Sequence, residues 1–419
     1  MLRFYRRLTG IHPEFPVYLA AMTLMAACGG LFENTYNNYL WEQFHLAPTA
    51  RGNLELVREF PGLMNVVLMG AVAMFAETWI AGASAVITAI GVAGFAIKGD
   101  AYGCMVMWTL LWGVGSHAIM PIQSSLTMGF GGRTKRGRRL GQVGAVSTVG
   151  SIAGAAAVVV IFRLLRDPRV PAVDPVTGRA HVEAWQLNAA FVIAAIACVL
   201  AAVCFCSLRS VGSRTKRPAW VLKRRYWLYY IQNLLFGARK QVFLTFGRWV
   251  LVVVFAQTPE MFAVLWIIAS VVGLFFSPLV GRLLDRIGER VILMVDAVVQ
   301  VVVCVGYGVG EHLPWGRQVA LIVVCASFVV DQISFGFGMA RATYISKMAE
   351  TPEDLTASLS MGVSIDHLIA ATIPMAGGWV WARYGYEYVF LAAGGVAVLM
   401  FFFATLIRVP RPAEAAAAP

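Results

Sequence analysis

Glu33, Asn34, Asn37 and Asn38 stand at i, i+1, i+4 and i+5 of an otherwise almost wholly apolar stretch. On an α-helix that spacing puts all four on one stripe. A second apolar stretch carries Arg239, Lys240 and Gln241 side by side, with Gln232 and Asn233 two turns earlier. A third carries Ser327, Asp331 and Ser334 on one helical face with Gln332 beside them, and a fourth carries His117 and Gln123. An ionised group in hydrocarbon costs a few kcal/mol at least, so each must face protein, water or a ligand. The chemistry on offer is of two kinds. A guanidinium or ammonium in low dielectric attracts an anion strongly, and a carboxyl deprived of water holds a proton unless a cation opposes it.

The elements that must position these groups are membrane helices. Of 419 residues, 59% are hydrophobic and only 13% charged, and the mean hydropathy is +0.71. That is too apolar for a soluble enzyme with a solvated surface. The net charge of +12 comes from basic residues in short loops beside apolar stretches, without the basic surface of a nucleic-acid-binding fold. All seven cysteines lie inside apolar segments and lack metal-ligand spacing, so they read as packing residues and leave the redox compartment open. No Gly-x-Ser-x-Gly, HExxH or phosphate-cradling Gly-x-x-x-x-Gly-Lys occurs, which argues against an enzyme and against ATP drive. No metal or cofactor is expected. The first apolar stretch is of full span length without a small-residue cleavage site, so it is expected to remain as an anchor.

A bilayer core of about 30 Å takes about 20 apolar helical residues, and that ruler yields twelve spans. The first six are Val17 to Leu40, Leu54 to Ala76, Trp79 to Ile97, Tyr102 to Thr127, Leu140 to Leu164 and Leu187 to Ser207. The second six are Tyr226 to Phe246, Phe262 to Leu284, Val291 to Val309, Val319 to Ile345, Leu355 to Ala382 and Tyr388 to Ile407. Between the sets, Leu208 to Arg225 carries seven basic residues and no acidic one. Such a segment resists translocation and belongs in the cytoplasm. With both termini also cytoplasmic, that side receives 22 of the 34 Lys and Arg residues, Arg341 among them. The predicted organisation is a six-helix half over 1–207, a basic linker over 208–225, a second half over 226–410 and a disordered tail over 411–419. The outer loop from Arg166 to Gln186 reads as a solvated connector. A faint internal repeat supports duplication: Leu31-Phe32 followed by Phe44-His-Leu-Ala-Pro48 parallels Leu235-Phe236 followed by Phe255-Ala-Gln-Thr-Pro259. Repeats of this kind build transport sites at their interface. The fold class is therefore an all-α polytopic membrane protein, twelve transmembrane helices in two pseudo-symmetric six-helix halves.

Between the eighth and ninth spans runs Gly281-Arg-Leu-Leu-Asp285-Arg286-Ile-Gly288-Glu-Arg290. This resembles the signature loop of the major facilitator superfamily, Gly-x-Leu-Ala-Asp-Arg-x-Gly-Arg-Lys, in a chain with the same twelve spans and central basic linker. Physically, Gly281 and Gly288 would permit close helix approach and a tight turn, while Asp285, Arg286 and Arg290 could make charge-assisted contacts that bias a gate. The equivalent place between spans two and three reads Gly70-Ala-Val-Ala-Met-Phe-Ala-Glu77-Thr78 and lacks the Asp and basic pair. Gly141, Gly150 and Gly154 have the glycine spacing of the family's antiporter motif, with Ala155 where its proline belongs, and read as packing. Pro374, Gly377 and Gly378 look like the pseudo-symmetric counterpart, a kink and a close contact.

The resemblance implies that spans one, four, seven and ten line a central cavity, where this chain concentrates its polarity. The substrate-binding set is then Glu33, Asn34, Asn37, Asn38, His117, Gln123, Arg239, Lys240, Gln241, Asp331 and Gln332, with Asp331 first and Glu33 second for proton coupling. Glu33 and Arg239 are expected at similar depth, able to pair. Blander roles are expected elsewhere: Asp296 as a helix cap or partner of the signature-loop arginines, Asp366 and His367 as lining or support, and Glu55, Arg58 and Glu59 solvated near the outer mouth. The function implied is secondary active transport of a small, anionic organic solute by alternating access, driven by protons, by a monomer in a bacterial inner membrane. The alternatives are export of amphipathic or cationic compounds or lysolipid and, from another class, a non-transporting membrane sensor or assembly subunit.

Overall fold

A computed structural model describes residues 12–72, 74–131, 136–169, 173, 179, 181–209, 223–312, 314 and 316–408. Residues 210–222 of the linker and the tail from 409 onward lie outside them, as do residues 1–11 and 132–135 and most of the outer loop. Among the described residues the chain is helical and has no strand. The N-terminal helices are α1 (Phe15–Phe44), α2 (Pro48–Leu63), α3 (Asn65–Ala71), α4 (Glu77–Lys98), α5 (Tyr102–Gly131), α6 (Arg136–Val159), continued by a π-helical turn (Val160–Leu164), and α7 (Ala184–Ser207). After a 3-10 turn (Arg224–Tyr226) come α8 (Trp227–Val242), a π-turn (Phe243–Gly247), α9 (Arg248–Val253), α10 (Pro259–Val309), α11 (Arg317–Ser334), α12 (Gly338–Met348), α13 (Pro352–Tyr384) and α14 (Tyr386–Thr405).

Nine of these helical stretches are long and apolar enough to cross a membrane. One of the nine is α10, whose 51 residues are interrupted by a non-helical Gly288 at φ +81° and ψ 168°, so that it holds the eighth and ninth predicted spans. Two further stretches fall short on composition or continuity. One is α2 with α3, broken at Met64 and carrying Arg51, Glu55, Arg58 and Glu59; the other is the α8–α9 stretch, with Arg239, Lys240 and Arg248. The two predicted spans that miss the apolar criterion are thus charged ones. The α8–α9 stretch runs to Val253, past the predicted end at Phe246, because Arg248 is buried with its guanidinium 6.0 Å from the Phe328 ring centre and does not mark a boundary.

Gly288 occupies backbone space that is essentially reserved for glycine. Gly288→Ala is expected to cost about 1–3 kcal/mol. Gly281→Ala, inside the helix with nothing within 4 Å of the added methyl, is expected to be neutral or slightly stabilising. Thermal melts of the two purified variants check the contrast, and equal losses would contradict it. Gly281 therefore does not serve close helix approach, as its motif position suggested. Glycine there faces open space.

The chain divides into two compact units. The first comprises residues 1–46, 57–215 and 256–267. In it α1 packs on α6 and α7, and α4 packs on α5 and α7. The α1–α6 seam is a glycine contact: a side chain at Gly150 or Gly154 would collide with the backbone carbonyl of Thr23 or Ala27, and one at Gly30 with that of Ser151. An aromatic core of Phe32, Tyr36, Phe95, Trp112 and Phe191 fills the space beside the α1 polar stripe, with Phe32 and Trp112 ring centres 4.3 Å apart.

The second unit comprises residues 47–56, 216–255 and 268–419. Here α8 packs against α13 and α14, and Tyr307 stacks on Phe390 at 4.5 Å with Phe243 edge-on to both. A side chain at Gly378 would strike the Pro48 carbonyl, and one at Gly52 the Pro374 carbonyl, so the predicted close contact at Pro374–Gly378 is present. Where the linker ends, Lys223 donates to Asp354 at 2.6 Å and Arg225 pairs with Glu350. The Asp354 hydrogen bond holds the exposed Lys223 ammonium above its ordinary pKa.

The internal repeat has a backbone counterpart. His45 and Ala256, at φ +46° and +56°, are the two positive-φ non-glycine residues among those described. Each follows the Phe of a Phe-x-x-x-Pro corner, Phe44 to Pro48 and Phe255 to Pro259, and each proline opens the next helix. Proline at a first helical position is pre-set for that role.

Candidate functional site

In the N-terminal half the α1 stripe is largely buried. Asn34 and Asn38 are 1% and 2% exposed. Asn34 donates to its own helix at the Gly30 carbonyl, 2.6 Å, and Asn38 to the Gln257 carbonyl, 2.8 Å, the corner of the second repeat. The side-chain oxygens of both lack a hydrogen-bond partner. Such buried acceptors cost about 1–3 kcal/mol each. Asn37 is buried, and Glu33, on the edge of the stripe, is about one-third exposed with its carboxylate 3.9 Å from Arg58.

Arg58 and Glu59 touch two of the candidate site residues, Glu33 and His117. Expected near a solvated mouth, Glu55 and Glu59 are instead 2% and 6% exposed. Arg58 donates to Glu59 at 2.8 Å and lies 5.6 Å from the Trp112 ring centre. The other oxygen of Glu59 lies 3.3 Å from Nε2 of His117. Gly113 permits this, because a side chain there would collide with the Arg58 carbonyl. Gln123, half-buried, contributes its backbone carbonyl to Tyr18 and Thr127 at 2.9 and 2.7 Å. Helical charge pairs hid these residues in the sequence: Arg51–Glu55 is an i,i+4 pair at 2.6 Å, the spacing of an ordinary solvated helix face.

In the C-terminal half Arg239 of α8 and Asp331 of α11 form an ion pair with both side chains 1% exposed. Gln332 donates to the second oxygen of Asp331 at 3.1 Å. The partner expected for Arg239 was Glu33, so the structure corrects the pairing: Asp331, 92 residues away in sequence, supplies the counter-charge. Lys240 pairs with Asp366 of α13 at 2.5 Å. Gln241 is buried and donates to Thr245 at 3.4 Å. Ser327 and Ser334 are buried with Asp331, as one helical face requires.

A second buried pair lies beside the first. Asp296 is wholly buried, 3.6 Å from Arg341 and accepting from Gln300 at 3.2 Å. It is neither a helix cap nor a partner of the signature-loop arginines, and Arg341 is not a loop cation: its guanidinium lies 3.5 Å from the Phe236 ring centre. Of the proposed gate, Asp285, Arg286 and Arg290 are exposed, whereas their neighbour Glu289 is buried and takes Lys347 at 2.5 Å. On α10 and α12, Glu289–Lys347 and Asp296–Arg341 are successive rungs between antiparallel segments. A seven-residue acidic spacing met by basic residues six apart could have found them.

The family model of the Major Facilitator Superfamily matches residues 17–365. The chain belongs to that superfamily. Solved transporters of the superfamily's fold resemble it over nearly the whole chain. A mutant form of the nucleoside transporter NupG superposes with a TM-score of 0.74 at 14% identity, covering 94% of this chain and 100% of its own. A D-xylose-proton symporter gives 0.67 at 14%, covering 93% and 96%. A POT family transporter in complex with 5-aminolevulinic acid gives 0.73 at 11%, covering 94% and 95%. No curated protein sequence matches. The protein is a multi-pass membrane transporter of the major facilitator superfamily, not an enzyme.

Proposed function

We propose that this superfamily member is a secondary active transporter of a small organic anion, coupled to protons and working by alternating access between its halves, 1–207 and 226–410. It acts as a monomer in a bacterial inner membrane with both termini cytoplasmic, a placement supported by the seven-cation linker.

The observation that carries this reading is the buried Arg239–Asp331 pair. Removing one member of such a pair leaves the other charge uncompensated, a cost of about 3–5 kcal/mol. Protonating Asp331 does this to Arg239, which cannot shed its own charge. An anionic group then restores neutrality. Proton and anion therefore favour each other's binding, reciprocally. Lys240 with Asp366 offers a second, more exposed exchange of the same kind. On α1 the unpartnered oxygens of Asn34 and Asn38 supply acceptors for donor groups of the solute, and Glu33 is the second carboxylate for coupling.

Proteoliposomes loaded against a panel of labelled carboxylates and phosphates test the reading. An imposed pH gradient is expected to drive accumulation of at least one, and Asp331→Asn to abolish the gradient's effect. Accumulation indifferent to both the gradient and Asp331→Asn would refute coupling at this residue. Export of cationic or amphipathic compounds is separated by Arg239→Gln/Lys240→Gln, which should damage anion transport and leave cation export intact.

A further inference from the structure

We infer that Glu59 and His117 form a second proton-binding site, in the N-terminal half. Nδ1 of His117 lies 2.8 Å from the Gly113 carbonyl. A carbonyl only accepts, so Nδ1 carries a hydrogen and donates it. In a neutral ring that leaves Nε2 as a bare lone pair, and Nε2 faces a Glu59 oxygen at 3.3 Å. A lone pair facing a carboxylate is repulsive; one additional proton, on Nε2 or on Glu59, turns the contact into a hydrogen bond. The pair thus holds one proton more than a neutral imidazole beside a carboxylate.

The surroundings hold the two groups in register. Pro121 of α5 has no N–H to give to the His117 carbonyl four residues before it, and Asn65 of α3 donates to that carbonyl instead at 3.2 Å. Gly113 admits the Arg58 backbone, which brings Glu59 within reach of the ring. Arg58 occupies the other Glu59 oxygen at 2.8 Å and lies 3.9 Å from Glu33. Within this half Arg58 faces the pair, and Glu33 lies beyond it. Loss of the proton at rising pH sets Nε2 against the carboxylate and loosens α2 from α5. A site in this half would let both halves respond to protonation, Asp331 in one and Glu59–His117 in the other.

The role in transport rests on the proton-coupled reading; the proton itself does not, and is measurable on the purified protein without substrate. In nitrogen NMR of histidine-labelled protein, with six histidines in the chain and His117 identified by the signal lost in His117→Gln, Nδ1 is expected to be protonated. Nε2 is expected to be protonated too, or to accept a hydrogen bond that disappears in Glu59→Ala, which has no donor to replace it. A neutral ring with its hydrogen on Nε2 and a bare Nδ1 would overturn the assignment. Hydrogen–deuterium exchange gives the second readout. After correction for intrinsic rates, protection of 57–63 and 113–121 should fall as pH rises in the native protein. It should not in His117→Gln, whose amide donates to Glu59 at every pH. Equal pH dependence in both would also overturn it.

Discussion

Asp331→Ala is expected to be the most damaging single substitution in the C-terminal half, costing about 3–5 kcal/mol by stranding the Arg239 guanidinium in a buried site. The converse variant, Arg239→Ala, should behave differently with pH. A stranded carboxylate can take up a proton and become neutral, whereas a guanidinium keeps its charge at any pH a protein survives. Melting temperatures in detergent should therefore recover for Arg239→Ala as the pH is lowered, with no comparable recovery for Asp331→Ala. The charge-reversed double variant, Arg239→Asp with Asp331→Arg, should regain part of the lost stability, because the two residues touch and their effects are not additive. Equal pH responses in the two single variants would mean that the pair is not buried as described.

Gly154→Leu is expected to have an effect of similar size in the N-terminal half. The atom it would meet is the Ala27 carbonyl, with the Leu31 backbone close behind. Backbone cannot swing aside as a side-chain tip can, so α1 must leave α6. Overpacking a well-packed seam costs about 1–3 kcal/mol where side chains can adjust, and more is expected where they cannot. Displacing α1 would also disturb the Asn34–Asn38 stripe it carries, and the Trp266 indole that donates to Ser151 on the same seam at 2.8 Å. Gly141→Ala is the control, since nothing lies within 4 Å of a methyl added there. Folded yield and melting temperature should fall sharply for Gly154→Leu and remain unchanged for Gly141→Ala. The glycine spacing that resembles an antiporter motif thus contains two packing contacts, Gly150 and Gly154, and one position that touches nothing.

The helices were legible because a bilayer imposes its own ruler. Tyr102 begins its helix as predicted, and α7 ends at Ser207 as predicted. The Phe-x-x-x-Pro repeat was legible as a sequence pattern, and both of its corners adopt a left-handed turn, at His45 and Ala256. Which charges are buried was legible only where an apolar run surrounds them, as for Arg239 and Asp331. In α2 the run is interrupted every few residues, so Glu59 reads as a surface residue although it is 6% exposed. Partners were the least legible of all. Arg239 had acidic candidates in Glu33, Asp296, Asp331 and Asp366, and spacing along a chain does not rank residues on different helices. Packing ranks them: Asp331 takes Arg239, Asp296 takes Arg341, and Asp366 takes Lys240. The signature loop was legible as a motif, but not in which of its charges is buried. Its conspicuous charges are exposed, while Glu289 within it is buried against Lys347.

The measurement closest to the central claim is the pH dependence of anion binding, read by thermal shift of the purified protein against a panel of carboxylates and phosphates at two pH values. If protonation of Asp331 releases Arg239 to an anion, the stabilisation by a bound anion must grow as the pH falls, and that growth must be clearly smaller in Asp331→Asn. Stabilisation that is indifferent to pH in the native protein, or that grows as the pH rises, would contradict the exchange of a proton-bearing carboxyl for a solute anion at this arginine.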